Sequence, residues 1–315
     1  MAKCLNPIHG RNISLILVFL YSFLFTFSTS FAETNLKIPA EYGEVIYQCN
    51  AESPSQIYVI GMSHRDSLTR LNGPNTPRVQ AEVYQIGDWL VRHLGLELLL
   101  PEGFFKAKKA QVVKADIKTP KECPSPVDMK VLEERLADNR TYVNAEMLLK
   151  EYHSLKTEQV EDKVFYDAVG AGISKLVKGP GNSTDYLLLK SELDYLQERR
   201  TAAMIQKIPE IVDLEFRQGS IKSRKAIFTI GLSHLHKIIQ YLNEKRITVC
   251  PSPFTSDKAK DFIAEPDLLK ANFGVCVILP KTLANDGKAL ELNRLNYVVS
   301  KSRSRAPFSN ASLLP

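Results

Sequence analysis

Two heptapeptides, Tyr58-Val59-Ile60-Gly61-Met62-Ser63-His64 and Phe228-Thr229-Ile230-Gly231-Leu232-Ser233-His234, lie 170 positions apart in a chain of 315 residues and follow one pattern. Each opens as an aromatic and β-branched run that ends at glycine, which is how a buried strand reads. Each then delivers a histidine just past the strand's C-terminal end. In open α/β sheets that edge gathers ligands, because helix N-termini and loop N–H groups converge there. Glycine lets the backbone turn sharply or approach a ligand closely, and the serine is expected to cap the following helix. A lone Ser-His at such a turn is also consistent with a cap and a half-buried imidazole. Two in matching frames are better explained by one shared site.

The flanking pattern supplies the fold class. After the strand Gln56–Gly61 comes a loop over 63–77, and then Val79, Val83, Ile86, Leu90 and Leu94 recur at the spacing of a helix with one buried face, closed by Gly95. Leu96–Leu100 is a second strand, running directly into Pro101-Glu102-Gly103-Phe104. Two strands around one helix make a βαβ unit and argue for a parallel pair. Residues 106–209 are mostly helical in character, with helices expected over Val127–Leu155 and Asp185–Lys207. A second strand, Ala226–Gly231, leads into a helix carrying Ile238, Ile239 and Leu242, and the runs Ile247–Cys250 and Phe273–Leu279 are expected to complete the sheet. The expected fold is therefore α/β: a mixed or mostly parallel central sheet flanked by helices, in two pseudo-repeated halves with a helical insertion.

The N-terminus reads as an address. Lys3 and Arg11 precede an apolar run from Ile13 to about Phe27, followed by small residues ending at Ala32. That order is a secretory signal peptide, and its core is shorter than the ~20 residues of a comfortable transmembrane helix. The expected organisation is a signal peptide at 1–32, one α/β domain at 33–300 and a polar, flexible tail at 301–315. The mature protein is expected to be exported, periplasmic or secreted, and to meet a membrane only through its signal. Its removal takes two basic residues and no acidic one from a formal charge of +6. What remains has no basic stripe with interleaved aromatics, so no nucleic-acid partner is expected. It also discards Cys4 and leaves Cys49, Cys123, Cys250 and Cys276, an even set whose spacing suits disulfides or buried thiols, not a zinc ribbon. Sequons stand at Asn139, Asn182 and Asn310.

Chemistry is expected where strands end. Glu102 follows a Leu-rich strand in the same orientation as His64 and His234, which suggests a carboxylate delivered to the same edge. Two imidazoles and a carboxylate form a common ligand set for a catalytic divalent metal, and equally a set for metal-free acid/base hydrolysis. Glu97, in mid-strand, is a rival carboxylate with a structural look. On the helix Asp185–Lys207 the apolar stripe Leu189, Leu193, Leu196, Ala203 and Met204 places Arg200 near its centre and Arg199 at its margin. An arginine there must snorkel or pair with a carboxylate, or hold a developing oxyanion. His93, His153 and His236 receive no role.

Taken in order, Gly61-Met62-Ser63-His64, the strand-end Glu102, Glu198-Arg199-Arg200 and Ile230-Gly231-Leu232-Ser233-His234 resemble the motifs of a superfamily. It comprises the TraB/GumN proteins, Tiki proteases, ChaN-like haem-binding lipoproteins and erythromycin esterases. The resemblance covers about residues 56–245. It implies a two-halved α/β fold with a site between the Gly-x-x-His loops, and by position His64, Glu102, Arg199 and His234 match the superfamily's functional residues. Two departures stand out. The Glu-Arg pair is followed by a second arginine, Arg200, which the helical-face argument prefers. The first motif carries Met62 where the esterase and ChaN-like branches have a glutamate, which leans toward the TraB/Tiki side. The resemblance implies a hydrolase of a peptide or ester bond in a small-molecule or peptide substrate, with or without a divalent metal. It also implies, as the alternative, a non-catalytic haem- or ligand-binding module, or a degenerate structural member.

Overall fold

In a computed structural model the chain is described at residues 36–65, 71–106, 128–138, 143–179, 181–252, 255 and 259–305. The signal segment, Cys4, Cys123, Asn139 and Asn310 lie outside them.

The protein is α/β. Six strands form the central sheet: β1 (Gly43–Cys49), β2 (Gln56–Met62), β3 (Leu98–Pro101), β4 (Lys156–Thr157), β5 (Lys225–Gly231) and β8 (Gly274–Pro280). Their spatial order is β1-β8-β2-β5-β3-β4. All neighbouring pairs are parallel except β1 with β8. Strands β2 and β8 are buried at every position, as expected of strands covered on both faces. Ile57 and Ile60 in β2, Val275 and Ile278 in β8 and Phe228 in the adjacent β5 are completely shielded from solvent. Each large aliphatic side chain so buried contributes roughly 1.5–3 kcal/mol against the entropy of ordering the chain.

Helix α1 (Thr76–Leu94) follows β2 and turns Val79, Val83, Ile86 and Leu90 fully into the core. It ends at Gly95, whose φ of 64° is the left-handed conformation that glycine adopts without a Cβ penalty. The βαβ unit it makes with β2 and β3 is not a pair of neighbours, because β5 lies between the two strands. The helical middle comprises α2 (Met129–Ala137), α3 (Ala145–His153), α4 (Lys163–Lys178) and α5 (Ser183–Arg217). A single helix over 127–155 is thus broken in two: Asn144 caps α3 by accepting from Met147 N, which restarts the helix there. Helix α5 is longer at both ends than expected and carries Pro209 internally; Asn182, one of the sequons, is its N-cap.

Helix α6 (Leu232–Glu244) begins immediately after β5. The run at 247–250 does not join the central sheet; it gives β6 (Ile247–Val249), paired antiparallel with β7 (Phe262–Ala264). Strand β1, which the sequence reading omitted, is the antiparallel edge. Four short helices close the chain: Asp267–Lys270, Lys281–Ala284, Gly287–Leu292 and Asn296–Arg305, the last reaching into residues assigned to the tail. Among the described residues Cys49, Cys250 and Cys276 form no disulfide with one another.

Candidate functional site

The strand order makes the site. With β5 between β2 and β3, the C-terminal ends of three parallel strands deliver His64, Glu102 and His234 to one edge, Met62 lying opposite Gly231 and Pro101 opposite Thr229. Glu102 N continues the ladder by donating to Thr229 O at 3.0 Å. The Glu102 side chain then folds over the end of β5, where Oε2 accepts from Gly231 N at 2.5 Å, at the N-terminus of α6. A carboxylate is favoured there by the unpaired N–H groups and the helix dipole.

Glu102 is the hub. Its Oε1 accepts from Arg200 Nη2 at 2.7 Å and faces His234 Nε2 at 3.4 Å, while Oε2 faces His64 Nε2 at 3.5 Å. Burial alone would raise its pKa. The charges and hydrogen bonds of His234 and His64 outweigh burial and hold the carboxyl well below the usual range. Arg200 is shared: its Nε and Nη2 also donate to the fully buried Glu161, at 2.9 and 2.7 Å. An arginine committed to two carboxylates in this way orders Glu102.

The two histidines are placed differently. His234 is 4% exposed, with Nδ1 at 2.6 Å from Thr201 Oγ1. The Thr201 hydroxyl donates to Gln197 O at 2.8 Å, so it accepts the Nδ1 proton of His234. His234 is thereby locked behind Glu102 and does not line the cavity. His64 sits two residues beyond β2, outside any helix or strand, its side chain 41% exposed. Burial pulls its pKa down, yet the hydrogen bond and charge of Glu102 win and raise it above the ordinary histidine value. Gln80 on α1 fixes this segment by donating to Ser63 O at 2.7 Å and accepting from Ala145 N at 2.9 Å.

In front of His64 lies a cavity of about 660 Å³, whose polar lining includes His64, Glu102, Glu146 and Arg200. Apolar walls come from Phe104 and Met147 and, on α4, from Tyr166, Val169 and Ile173. Volume and lining suit a small organic molecule or a short peptide segment.

The structure therefore brings together four of the five expected site residues: His64, Glu102, Arg200 and His234. Arg199 points elsewhere, its guanidinium 4.0 Å from the centre of the Phe262 ring and 5.7 Å from that of Phe165. The serines do not cap: Ser63 Oγ lies 3.3 Å from Thr76 Oγ1, and the N-cap of α6 is Gly231, without a side-chain bond. Glu97 is structural, accepting from Lys222 N. Residues that the sequence did not disclose are Glu146, Glu161, Thr201 and Gln80. Thr201 follows Arg200 on the buried stripe of α5 and was within reach of the same argument; Glu161 sits in a polar stretch, Glu158-Gln159-Val160-Glu161-Asp162, without periodicity.

A divalent ion held by His64, His234 and Glu102 would need lone pairs converging at about 2.0–2.2 Å on one point. Here each carboxylate oxygen already accepts a strong donor, Arg200 on one side and Gly231 N–H on the other, and both imidazole Nε2 atoms face those same oxygens. Among the described residues no group of three His, Cys, Asp or Glu side chains is disposed to hold a metal ion. In this arrangement the three side chains do not fit a resident metal. No protein-family model, curated protein or solved structure matches the chain, so the superfamily resemblance rests on the motif residues themselves.

Proposed function

We propose that this chain is an exported hydrolase that cleaves an ester or peptide bond by metal-independent acid/base chemistry, with His64 as the base and Glu102 as its orienting carboxylate. One observation carries the reading: a buried carboxylate, immobilised by Arg200, Gly231 N–H and His234, presents its remaining edge to the one histidine that opens into the cavity.

Water held between His64 and a bound carbonyl loses its proton to the imidazole as its oxygen attacks the carbonyl carbon. The imidazolium so formed is stabilised by Glu102, as in the carboxylate–histidine couples of other hydrolases. Because Glu102 is already ionised and held by hydrogen bonds from Arg200 and Gly231 N–H, it needs no reorganisation at that moment. His234, Arg200 and Glu161 are positioning residues that act through Glu102.

The test uses protein lacking residues 1–32, a panel of nitrophenyl esters, alkyl esters and short peptides, and metal analysis of the same sample. Hydrolysis that survives a chelator and disappears in His64→Ala supports the reading. Stoichiometric bound metal with chelator-sensitive activity replaces it with the metal-dependent alternative. A Soret band on haem titration, without turnover, replaces it with the haem-binding module.

A further inference from the structure

Beyond the His64–Glu102 couple, we propose that Glu146 is a catalytic residue, the general acid that protonates the leaving group; the proposal rests on the hydrolase reading above. Glu146 is the second residue of α3 and lines the same cavity as His64 and Glu102, yet it is 5% exposed. One oxygen, Oε1, accepts from Thr229 Oγ1 at 3.1 Å; the other, Oε2, is buried and has no hydrogen-bond partner among the described residues. A buried ionised carboxylate rarely leaves an oxygen unpaired, since that forfeits the bonds which offset desolvation. A neutral carboxyl fits the same geometry, and a turn of that carboxyl would carry its proton from the buried position into the cavity that Glu146 lines.

The charged groups that share the cavity with it are Glu102, His64, Arg200 and Arg65, with Lys150 one turn further along its own helix; of these, His64 and Glu102 act on its titration. Burial raises the pKa of Glu146 and outweighs the lowering effects of the His64 charge, its own backbone N–H and the Thr229 hydroxyl, while the negative charge of Glu102 adds the smallest contribution, also upward. The two carboxyls of the cavity therefore differ, Glu102 held toward the anion by its histidines and Glu146 pushed toward the acid by burial. Such divergence separates base-side from acid-side roles. In the proposed step the C–O bond to water forms while the bond to the leaving oxygen or nitrogen breaks with its electron pair. The proton of Glu146 passes to that atom and water's proton resides on His64. Solvent exchange afterwards returns Glu146 to the acid and His64 to the base, with no net redox change.

The experiment compares Glu146→Gln with wild type on two probes sharing an acyl group: a p-nitrophenyl ester, whose leaving group departs as a stable anion, and an ethyl ester, whose alkoxide needs a proton. The expected result is a kcat/KM loss of about 10²–10³-fold on the ethyl ester and less than about tenfold on the nitrophenyl ester. Equal losses on both probes overturn the assignment while leaving the hydrolase reading intact; a wild type inert on every ester and peptide overturns both. Should the variant fail to fold, the wild-type pH profile decides. An alkaline limb, with rate falling as Glu146 ionises, is expected for the ethyl ester and not for the nitrophenyl ester, and its presence or absence on both overturns the proposal.

Discussion

The segments around His64 and His234 are nearly the same words in two sentences. Strand β2 runs through Gly61 to Met62 and leads into Ser63 and His64 outside any helix or strand, whereas β5 stops at Gly231 and α6 starts at the next residue. The strands also pair one residue out of step, Gly61 lying opposite Ile230. His64 therefore stands at the cavity, and His234, on the first turn of a helix, is folded back against Thr201 and Glu102. The glycines part in the same way. A Cβ at Gly61 would strike Leu235 Cδ1 at 2.4 Å, so that glycine admits a packed helix. A Cβ at Gly231 would press on Glu102 Oε2 at 3.1 Å, so this one admits the carboxylate. A repeated motif fixes the sheet edge to which a side chain is delivered; the backbone that follows decides what the side chain does there.

The sharpest way to break that contrast is His64→Gln. Removing the base is expected to lower kcat by about 10²–10⁴-fold, with the melting temperature nearly unchanged because the half-exposed ring packs little. If His64→Gln and His234→Asn lose activity equally and neither melts early, the division of roles is wrong. Next in size is Arg200→Met, which leaves Glu102 and Glu161 buried beside each other without their shared cation. Stability is expected to fall by about 3–5 kcal/mol, measured by urea unfolding, and activity with it.

His234→Asn should show the opposite profile to His64. Losing the imidazole strips Thr201 of a donor and Glu102 of one neighbour, at a cost of about 1–3 kcal/mol. Glu102 keeps Arg200 and Gly231 N–H, so the expected fall in kcat is no more than about tenfold. The pH profile sharpens the same comparison. His64 must be neutral to accept a proton, so rate is lost as pH falls through its pKa, which Glu102 raises above the ordinary value. In Glu102→Gln that support is gone and burial dominates, so the acid limb of kcat/KM is expected to move to lower pH, alongside a reduced plateau. A limb that stays in place or moves up would detach His64 from Glu102.

How much of this was legible beforehand follows from which interactions are local. Strands β2, β3 and β5 and helix α1 announce themselves by periodicity, because one buried face is enough to define them. His64, Glu102 and His234 were found because each ends a strand. What escaped is non-local. That β5 lies between β2 and β3 is what carries Glu102 to Gly231, and no pattern in either segment encodes it. Glu146 and Glu161 are acids in polar surroundings along the chain, and only the packing of α3 against the sheet and of α5 over Glu161 turns them inward. Strand β1 reads as a weak alternation, since it is an edge with one side toward solvent, and β6 is too short for its sheet to be chosen from sequence.

Arg199 and Arg200 give the smallest expected effect and the closest control. They are adjacent on α5, so a turn of about 100° separates the directions of their side chains. That turn sends Arg200 into the buried carboxylate pair and Arg199 onto Phe262, a ring of the separate two-stranded sheet. The motif alignment favoured Arg199 and the apolar stripe favoured Arg200; the stripe carries the physical information, because it records which face of the helix meets the core. Arg199→Leu keeps the stem's apolar contact and removes a cation–π interaction worth roughly 0.5–1 kcal/mol at a partly exposed position. It is expected to shift the melting temperature slightly and to leave kcat within about twofold. A loss from Arg199→Leu approaching that of Arg200→Met would mean that the arginine matched by motif order, and not the one paired with Glu102, serves the site.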